Sequence, residues 1–478
     1  MFNKRERLSA GLVKAFIISG IPMLLFILLT PAPKAVAIPA FARKYQTSCA
    51  TCHSNFPELN DFGEAFKKNG YKFPKDDDTF VKEPPVLLGA EAQRENFPKV
   101  IYPGEIPGTI PISFRFLGFA AYNSKQPLSA GVVPRTDLFT PDTFTIIAAG
   151  SFGQNLSFWI DDDVSVGGSG ADGGLGDGYL KVNDLGHYIG LPKDALNIRF
   201  GQFELDLPFT QARGINPTSY DIYDQASVAG GLGTTDNPFM FGAPQRGIEI
   251  GGYPNDGNFS WSLALVNGTN DTATLRNKKD VYARVSQRFN LERDPKARQE
   301  VQAASKTGPR DHTSLRLGAF YYYGQNELNL DRELFPDFGT IRENFYRAGA
   351  DFRFKYRNFE IYGLGMHGRD QNLIPDTKTQ TVETGPPVTF SGGFAQAQYW
   401  FYPWVIGIMR YDVVNSPADF QNGVSVRTTR NRFSPGIQIL VRGNIKTVFE
   451  YQRRWQQETD MSERFRANGF VFGIDYAF

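Results

Sequence analysis

The sequence predicts a mainly β protein, a membrane-spanning barrel of about sixteen antiparallel strands. Three observations point to it. The first is composition: 41 Phe, 21 Tyr and 48 Gly in 478 residues, against 6 Met and 2 Cys, suit β-rich structure. The second is a run of segments, each about 8–14 residues long, in which apolar and polar residues alternate, the period of a strand with one apolar face. The third is the last strand. Phe470, Phe472, Ile474, Tyr476 and Phe478 share one face, while Gly469, Val471, Gly473, Asp475 and Ala477 share the other. One face suits lipid and the other a polar lumen.

Composition also excludes alternatives. With 41% hydrophobic and 21% charged residues the chain is not disordered. A mean hydropathy of −0.34 rules out a polytopic helical membrane protein. A soluble β-sandwich or propeller would explain the alternation. It would not explain the terminal strand, the N-terminal signal described next and the loop asymmetry together.

The N-terminus reads as an export signal. Lys4, Arg5, Arg7 and Lys14 form a basic start, residues 15–29 an apolar core, and Ala35-Val36-Ala37 a small-x-small cleavage site. Residues 1–37 are therefore expected to be a signal peptide, the alternative being an uncleaved anchor. Cleavage would remove five basic and one acidic side chain from 51 and 50, leaving a net charge of about −3. No basic excess remains to suggest a nucleic-acid partner. Residues 38–73 form a compact module around the two cysteines. Residues 74–111 are a linker or lumen-lining tract with Pro74, Pro84, Pro85, Pro98, Pro103, Pro107 and Pro111, expected to be extended and mostly non-helical.

The barrel is expected over residues 112–478. Its alternating runs begin near Ile112, Thr143, Leu156, Asp177, Ala195, Arg246, Phe259, Lys279, His312, Asn344, Phe359, Phe390, Val405, Thr429, Ile445 and Phe465. Short turns at 153–155, 357–358, 402–404 and 442–444 alternate with long loops at 124–142, 206–245, 326–343 and 370–389. Short periplasmic turns and long extracellular loops are what an outer-membrane barrel needs. The charged segment 290–311 breaks this alternation.

The chemistry lies in Cys49-Ala50-Thr51-Cys52-His53, a C-x-x-C-H sequence of the kind that attaches one covalent haem c. Two thiols three positions apart reach both vinyl groups of one porphyrin, and the adjacent imidazole becomes the proximal iron ligand. The rival readings are a redox disulfide and half of a zinc site. No second cysteine pair completes a zinc site, and no thioredoxin-like βαβ pattern surrounds the motif. Downstream, Leu59, Phe62 and Phe66 form one apolar helical stripe, and Gly70 is a plausible stop.

The segment Ile38-Pro39-Ala40-Phe41-Ala42-Arg43, the haem motif, and then F-P-x-L-N-x-F-G-x-x-F-K-x-N-G-Y over residues 56–71 resemble the fused monohaem cytochrome–porin family of outer-membrane iron oxidases. The close match covers residues 38–73, and the rest matches by architecture. The resemblance implies oxidation of extracellular Fe(II) at the cell surface, with electrons passed to a periplasmic carrier such as a cytochrome. Cys49, Cys52 and His53 are the residues carried over.

The sixth iron ligand is left open. The module holds no Met and no His besides His53. Either the barrel supplies a ligand, or another residue or water binds, or the site is open. His312 shares parity with Ser314 and Arg316, and so faces the lumen near the periplasmic end. Met366 shares a face with Glu360, and Met240 lies in the long loop 206–245. Asp161, Asp162 and Asp163 form an acidic cluster that would concentrate Fe²⁺ near the pore mouth or serve as ordinary polar lumen. Two further functions stay open: a solute porin in which the haem module is a gate or sensor, and an exporter of electrons to an external oxidant.

Overall fold

The computed structural model of the chain describes residues 40–73, 77–87, 91–99, 105–108, 110–123, 136–153, 155–164, 174–210, 216, 218–226, 241–254, 257–268, 278–291, 313–329, 340–376, 378–417, 427–458 and 465–478. The export-signal segment lies outside the described residues. Among the described residues no helix is long and apolar enough to cross a membrane.

Sixteen strands form one closed barrel. They are β1 (Ile112–Asn123), β2 (Thr136–Phe152), β3 (Leu156–Val164), β4 (Gly174–Val182), β5 (Asn197–Phe203), β6 (Gln245–Gly252), β7 (Phe259–Val266) and β8 (Asp280–Asn290). The second half comprises β9 (Ser314–Asn329), β10 (Thr340–Tyr356), β11 (Phe359–Asp376), β12 (Thr381–Tyr402), β13 (Val405–Pro417), β14 (Arg427–Arg442), β15 (Ile445–Glu458) and β16 (Phe465–Ala477). Every pair is antiparallel between sequence neighbours. The ring closes where β16 meets β1, from Gly469 opposite Asn123 to Ala477 opposite Arg115. Closure removes the free edges that hydrocarbon would leave unsatisfied. Stacked rings reinforce the seam: Phe114 on Phe478 at 5.3 Å and Phe116 on Tyr476 at 5.0 Å.

Alternation sorts the side chains as the sequence predicts. On β15 and β16, Phe449 and Phe470 are exposed outward, while Lys446, Glu450, Gln452 and Asp475 are buried inward. The outer surface carries Phe200, Ile248, Leu263, Leu265, Val285, Leu317, Met409 and Ile437. An apolar outer band around a closed barrel with a charged interior is the arrangement of an outer-membrane barrel. The end with the turns at 153–155, 357–358, 403–404 and 443–444 is the periplasmic one by that rule.

One expectation is corrected. Loop 370–389 is strand at both ends, with β11 and β12 paired out to Asp376 opposite Thr381. Likewise β2 starts at Thr136, and β9 and β10 pair out to Asn329 opposite Thr340. The hairpins outlast the bilayer because backbone pairing continues where lipid no longer imposes alternation. The proline-rich linker holds short helices at Asp77–Phe80 and Glu91–Asn96 and a small pairing of Val86 with Ile106. Both helices fall in stretches free of proline, so the helical backbone bonds are not blocked there. The charged segment that broke the alternation lies, from 292 to 312, outside the described residues.

Two segments fill the lumen. One is the cysteine-bearing module over 40–73. The other runs inward from the end of β5 through 204–210 and 218–226. Leu205, Leu207, Phe209, Tyr220, Ile222, Tyr223 and Ala226 are buried in one cluster with Tyr282, Phe320, Tyr362, Met366 and Phe394 of the inner wall.

Candidate functional site

The C-x-x-C-H motif folds as a single turn of 3-10 helix, Cys49–Thr51, followed by a short strand, His53–Asn55, that pairs with Glu58–Leu59. Asn60 ties this turn to the next helix, Asp61–Lys68. Its Oδ1 accepts from Gly63 N at 2.8 Å, the N-cap bond. Its Nδ2 donates to Thr51 O at 3.0 Å and Ala50 O at 3.3 Å. Gly63 is required by contact: a Cβ there would lie 2.0 Å from Cys52 O. Gly70, with φ +69, ends the helix against Asn183 of the wall.

The module's own core is small. Tyr45, Phe66 and Tyr71 are buried, with Phe41, Cys52, Phe62, Phe73 and Val81 around them. Trp159 of β3 joins this cluster, so the barrel wall supplies part of the module's core. A unit this short buries too little apolar surface to be stable by itself.

The rest of the docking is polar. Glu58 is buried and bonded to Arg353 at 2.7 Å and Gln398 at 3.3 Å. Asp61 pairs with Lys355 and Arg288, each at 3.3 Å. Tyr71 Oη meets Tyr179 Oη at 2.8 Å. Lys181 donates to Lys68 O at 2.7 Å, Gln438 to Asn55 Oδ1, and Ser113 Oγ accepts from Ala40 N at 2.8 Å. Strands β1, β4, β8, β10, β12 and β14 therefore all touch the module.

Electrostatics follow from that setting. Burial and then the neighbouring Glu360 push Glu58 up to about 7, although Arg353 pulls it back. Burial also opposes ionisation of Asp61, yet Lys355, Arg288 and Arg316 outweigh it and hold its carboxyl well below the usual range. Burial raises Cys49, and burial followed by the Cys49 charge takes Cys52 up to about 12. A redox cysteine pair needs a lowered thiol pKa, so these free thiols are poorly suited to disulfide exchange.

The donor set suits a c-type haem. His53 Nδ1 lies 3.1 Å from Pro57 O. A ring nitrogen facing a carbonyl must carry the proton, which leaves the lone pair on Nε2. Burial, and after it the charges of Arg115 and Lys446, lower His53 to about 4, so the imidazole is neutral at physiological pH, as a ligand must be. Among the described residues no three His, Cys, Asp or Glu side chains are grouped to hold a bare metal ion.

Of the distal candidates, His312 and Met240 lie outside the described residues. Met366 is on the lumen face, buried in the cluster of the inward segment, whereas Cys52 belongs to the module's own cluster. His367 points the other way and contacts Ser391 Oγ at 2.8 Å. Asp161 is engaged locally, accepting from Trp159 Nε1 at 2.7 Å and Asp177 N at 2.5 Å, and Asp163 accepts from Thr145 Oγ1 at 2.5 Å.

Sequence reasoning missed the cavity between the two lumen-filling segments. It measures about 200 Å³ and is lined by Asp61, Glu64 and Lys68 of the module, Asp206 of the inward segment, and Arg199 and Arg316 of the wall. The inward parity of Arg199 and Arg316 in their strands was the only available signal.

No family model matches the chain, and no curated protein matches it. Among solved structures it is similar to the outer membrane channel DcaP of Acinetobacter baumannii, at 14% identity, covering 77% of this chain and 96% of that one, with a TM-score of 0.44. It is also similar to an anion-selective porin from Comamonas acidovorans, at 11% identity, 77% and 98% coverage and a TM-score of 0.47. Salmonella typhi OmpF in complex with daunomycin gives 13% identity, 77% and 97% coverage and 0.44. By its own closed sixteen-strand architecture the chain is a porin-like outer-membrane barrel.

Proposed function

We propose that this barrel is an electron-transfer protein of the outer membrane. A single haem c, held by thioethers to Cys49 and Cys52 and by His53, takes electrons from extracellular Fe(II) and delivers them to a periplasmic carrier. The observation that carries the reading is the motif's setting: two free thiols and a neutral, carbonyl-oriented imidazole on a module wedged inside the barrel. When bound, the haem supplies a one-electron iron couple. The chain's own residues then have distinct roles. Pro57 O fixes the imidazole tautomer, the hydrogen bonds to Glu58 and the ion pairs of Asp61 hold the module at a set depth, and the wall excludes lipid.

Hydrocarbon is about 30 Å thick, so one redox centre serves both sides only if a donor enters the lumen or a carrier reaches up to it. The charged cavity beside the module offers space for a small hydrated ion.

A second reading is a solute porin whose module acts as gate or sensor. The sixteen-strand barrel and its charged interior favour it. Conductance separates the two. A barrel that passes ions with its module in place supports the porin, whereas a sealed one supports the conduit. The direct test is stopped-flow spectroscopy of the oxidised protein in detergent mixed with Fe(II). Rapid conversion to the reduced haem spectrum is expected. A haem that dithionite reduces and Fe(II) does not would sink the iron-oxidising assignment and move weight to electron export.

A further inference from the structure

We propose that an outward-facing cleft on strands β9 to β12 binds the phosphorylated sugar headgroup of a glycolipid in the outer leaflet of the membrane. The inference needs only the barrel and its orientation, and is independent of the haem reading.

Strand parity sets the direction of the cleft. Met366 is buried in the lumen cluster, so His367, Arg369 and Gln371 of β11 face outward. On β9 and β10 the buried lumen residues are Tyr322, Phe345 and Arg347, so Tyr323, Asn344 and Tyr346 face outward too.

Distance along the strands sets its height. Arg369 stands ten residues from Phe359, and Asn344 twelve from Tyr356, both counted from the periplasmic turn at 357–358. At about 3.3 Å per residue and a tilt of about 40°, the rise is about 25–30 Å, the height of the apolar band. The outward side chains change character there. Ile361, Gly363 and Gly365 of β11 give way to His367, Arg369 and Gln371. Lipid headgroups of the outer leaflet meet the barrel at this level.

The cleft measures about 370 Å³ and is lined by Tyr323, Asn344, Tyr346, Arg369, Gln371 and Asn372. Ligand clefts begin at about 300 Å³. It lies at a bulge, where the pairing of β11 with β12 shifts between Asp370 and Asn372. Its amides are held in place. Asn344 Oδ1 accepts from Gln325 Nε2 at 2.6 Å and from Tyr323 Oη at 3.0 Å, and Asn344 Nδ2 donates to Gln371 Oε1 at 3.4 Å.

Two groups in the cleft lack a partner among the described residues. Arg369 is exposed and makes no hydrogen bond or ion pair there. Asn372 is only 5% exposed, and its Nδ2 donates to Pro386 O at 3.3 Å, yet its buried Oδ1 accepts nothing. The neighbouring carboxylates are engaged elsewhere. Asp370 pairs with Arg347 on the lumen side, and Glu343 accepts from Leu373 N at 2.7 Å. The next charged positions outward, Arg342 and Glu327, stand opposite each other, and Glu383 stands opposite Ile374 further along the hairpin.

This set of groups fits a phosphorylated sugar. A guanidinium binds phosphate bidentately. The buried Asn372 acceptor calls for a hydroxyl donor, and the Tyr323 and Tyr346 rings offer apolar faces to a sugar ring. A phosphate diester with an acyl-glycerol body would use Arg369 and leave the acceptor unmatched. A soluble sugar phosphate would have to enter from the membrane side.

The test is native mass spectrometry of the full-length protein in detergent. The probes are diphosphoryl lipid A, its dephosphorylated form and phosphatidylglycerol, with inorganic phosphate as competitor. Variants Arg369→Gln and Arg369→Lys are checked for a folded barrel by heat-modifiable gel mobility. Diphosphoryl lipid A is expected to bind the wild type in preference to both other lipids. Arg369→Gln is expected to weaken it by about tenfold or more, and Arg369→Lys to weaken it less. Equal binding by wild type and Arg369→Gln, or equally tight binding of phosphatidylglycerol, overturns the inference. Displacement by inorganic phosphate would make the cleft a free-anion site and also overturns it. If Arg369→Gln does not fold, the wild-type preference for the phosphorylated over the dephosphorylated lipid decides alone.

Discussion

The cysteine-bearing module and the inward segment of 204–210 and 218–226 both occupy the lumen, yet they grip the wall in opposite ways. The inward segment is held by apolar burial. Ile222 and Ala226 are fully enclosed in one cluster with Tyr322, Phe390 and Val414. Buried arginines then clamp its backbone: Arg347 donates to Ala226 O at 2.8 Å, and Arg410 to Thr218 O at 2.9 Å. The module instead presents a small aromatic core of its own and meets most of the wall through ion pairs and single hydrogen bonds. The segment is thus part of the barrel's core, while the module is seated in a largely polar socket.

That contrast can be broken in four ways, from the largest effect to the smallest. Replacing both Cys49 and Cys52 with serine is expected to abolish covalent haem while leaving the barrel folded. Haem staining and heat-modifiable mobility on the same gel read both results. Barrel loss in that variant would mean that the module is as integral as the inward segment.

Next, Arg347→Met leaves Asp370 buried without its partner and frees the Ala226 carbonyl. A loss of about 3–5 kcal/mol is expected, since an unpaired buried charge is uncompensated. Urea titration of the purified barrel measures it. A loss below about 1 kcal/mol, the ordinary value for an exposed pair, would refute the clamp.

The third test uses pH and applies to the module alone. Glu58 is shifted upward to about 7 by burial and then Glu360. Its contribution to docking is therefore full below its ordinary range and is lost as pH rises through 7. Asp61 is shifted downward, so its contribution persists at neutral pH and is lost only in strong acid. Amide exchange over residues 40–73 should slow, after correction for intrinsic rates, as pH falls from about 8 to about 5. Glu58→Gln should flatten that dependence, and an unchanged slope would remove Glu58 as its source.

The smallest effect is local. Asn60→Ala loses the N-cap bond to Gly63 and both bonds to the motif turn. A cost of about 1 kcal/mol is expected, read as faster exchange in the helix Asp61–Lys68 with barrel stability unchanged. Spread of the effect into the barrel would contradict a module seated mainly by polar contacts.

These two regions were also unequally legible in the sequence. Strands β1, β3, β7, β11, β13, β15 and β16 begin at the residues where the alternation starts, because lipid on one side and water on the other write a period of two directly into the chain. The hairpin ends past the bilayer carry no such record, and there the expected loops 124–142, 326–343 and 370–389 came out too long. The motif was legible because its cysteines and histidine stand at fixed spacing within five residues. Its socket was not. Glu58 and Arg353 stand 295 positions apart, and nothing local marks either as the other's partner. Alternation could say that Arg353 faces inward but not what it would meet.

The seam between β16 and β1 has a consequence for how the molecule is made. Ser113 and Arg115, which the module touches through Ala40 and Phe56, belong to the strand that the last strand must find. Asp475, which anchors Arg115, stands 360 positions later in the chain. The seat of the module is therefore complete only once the ring has closed.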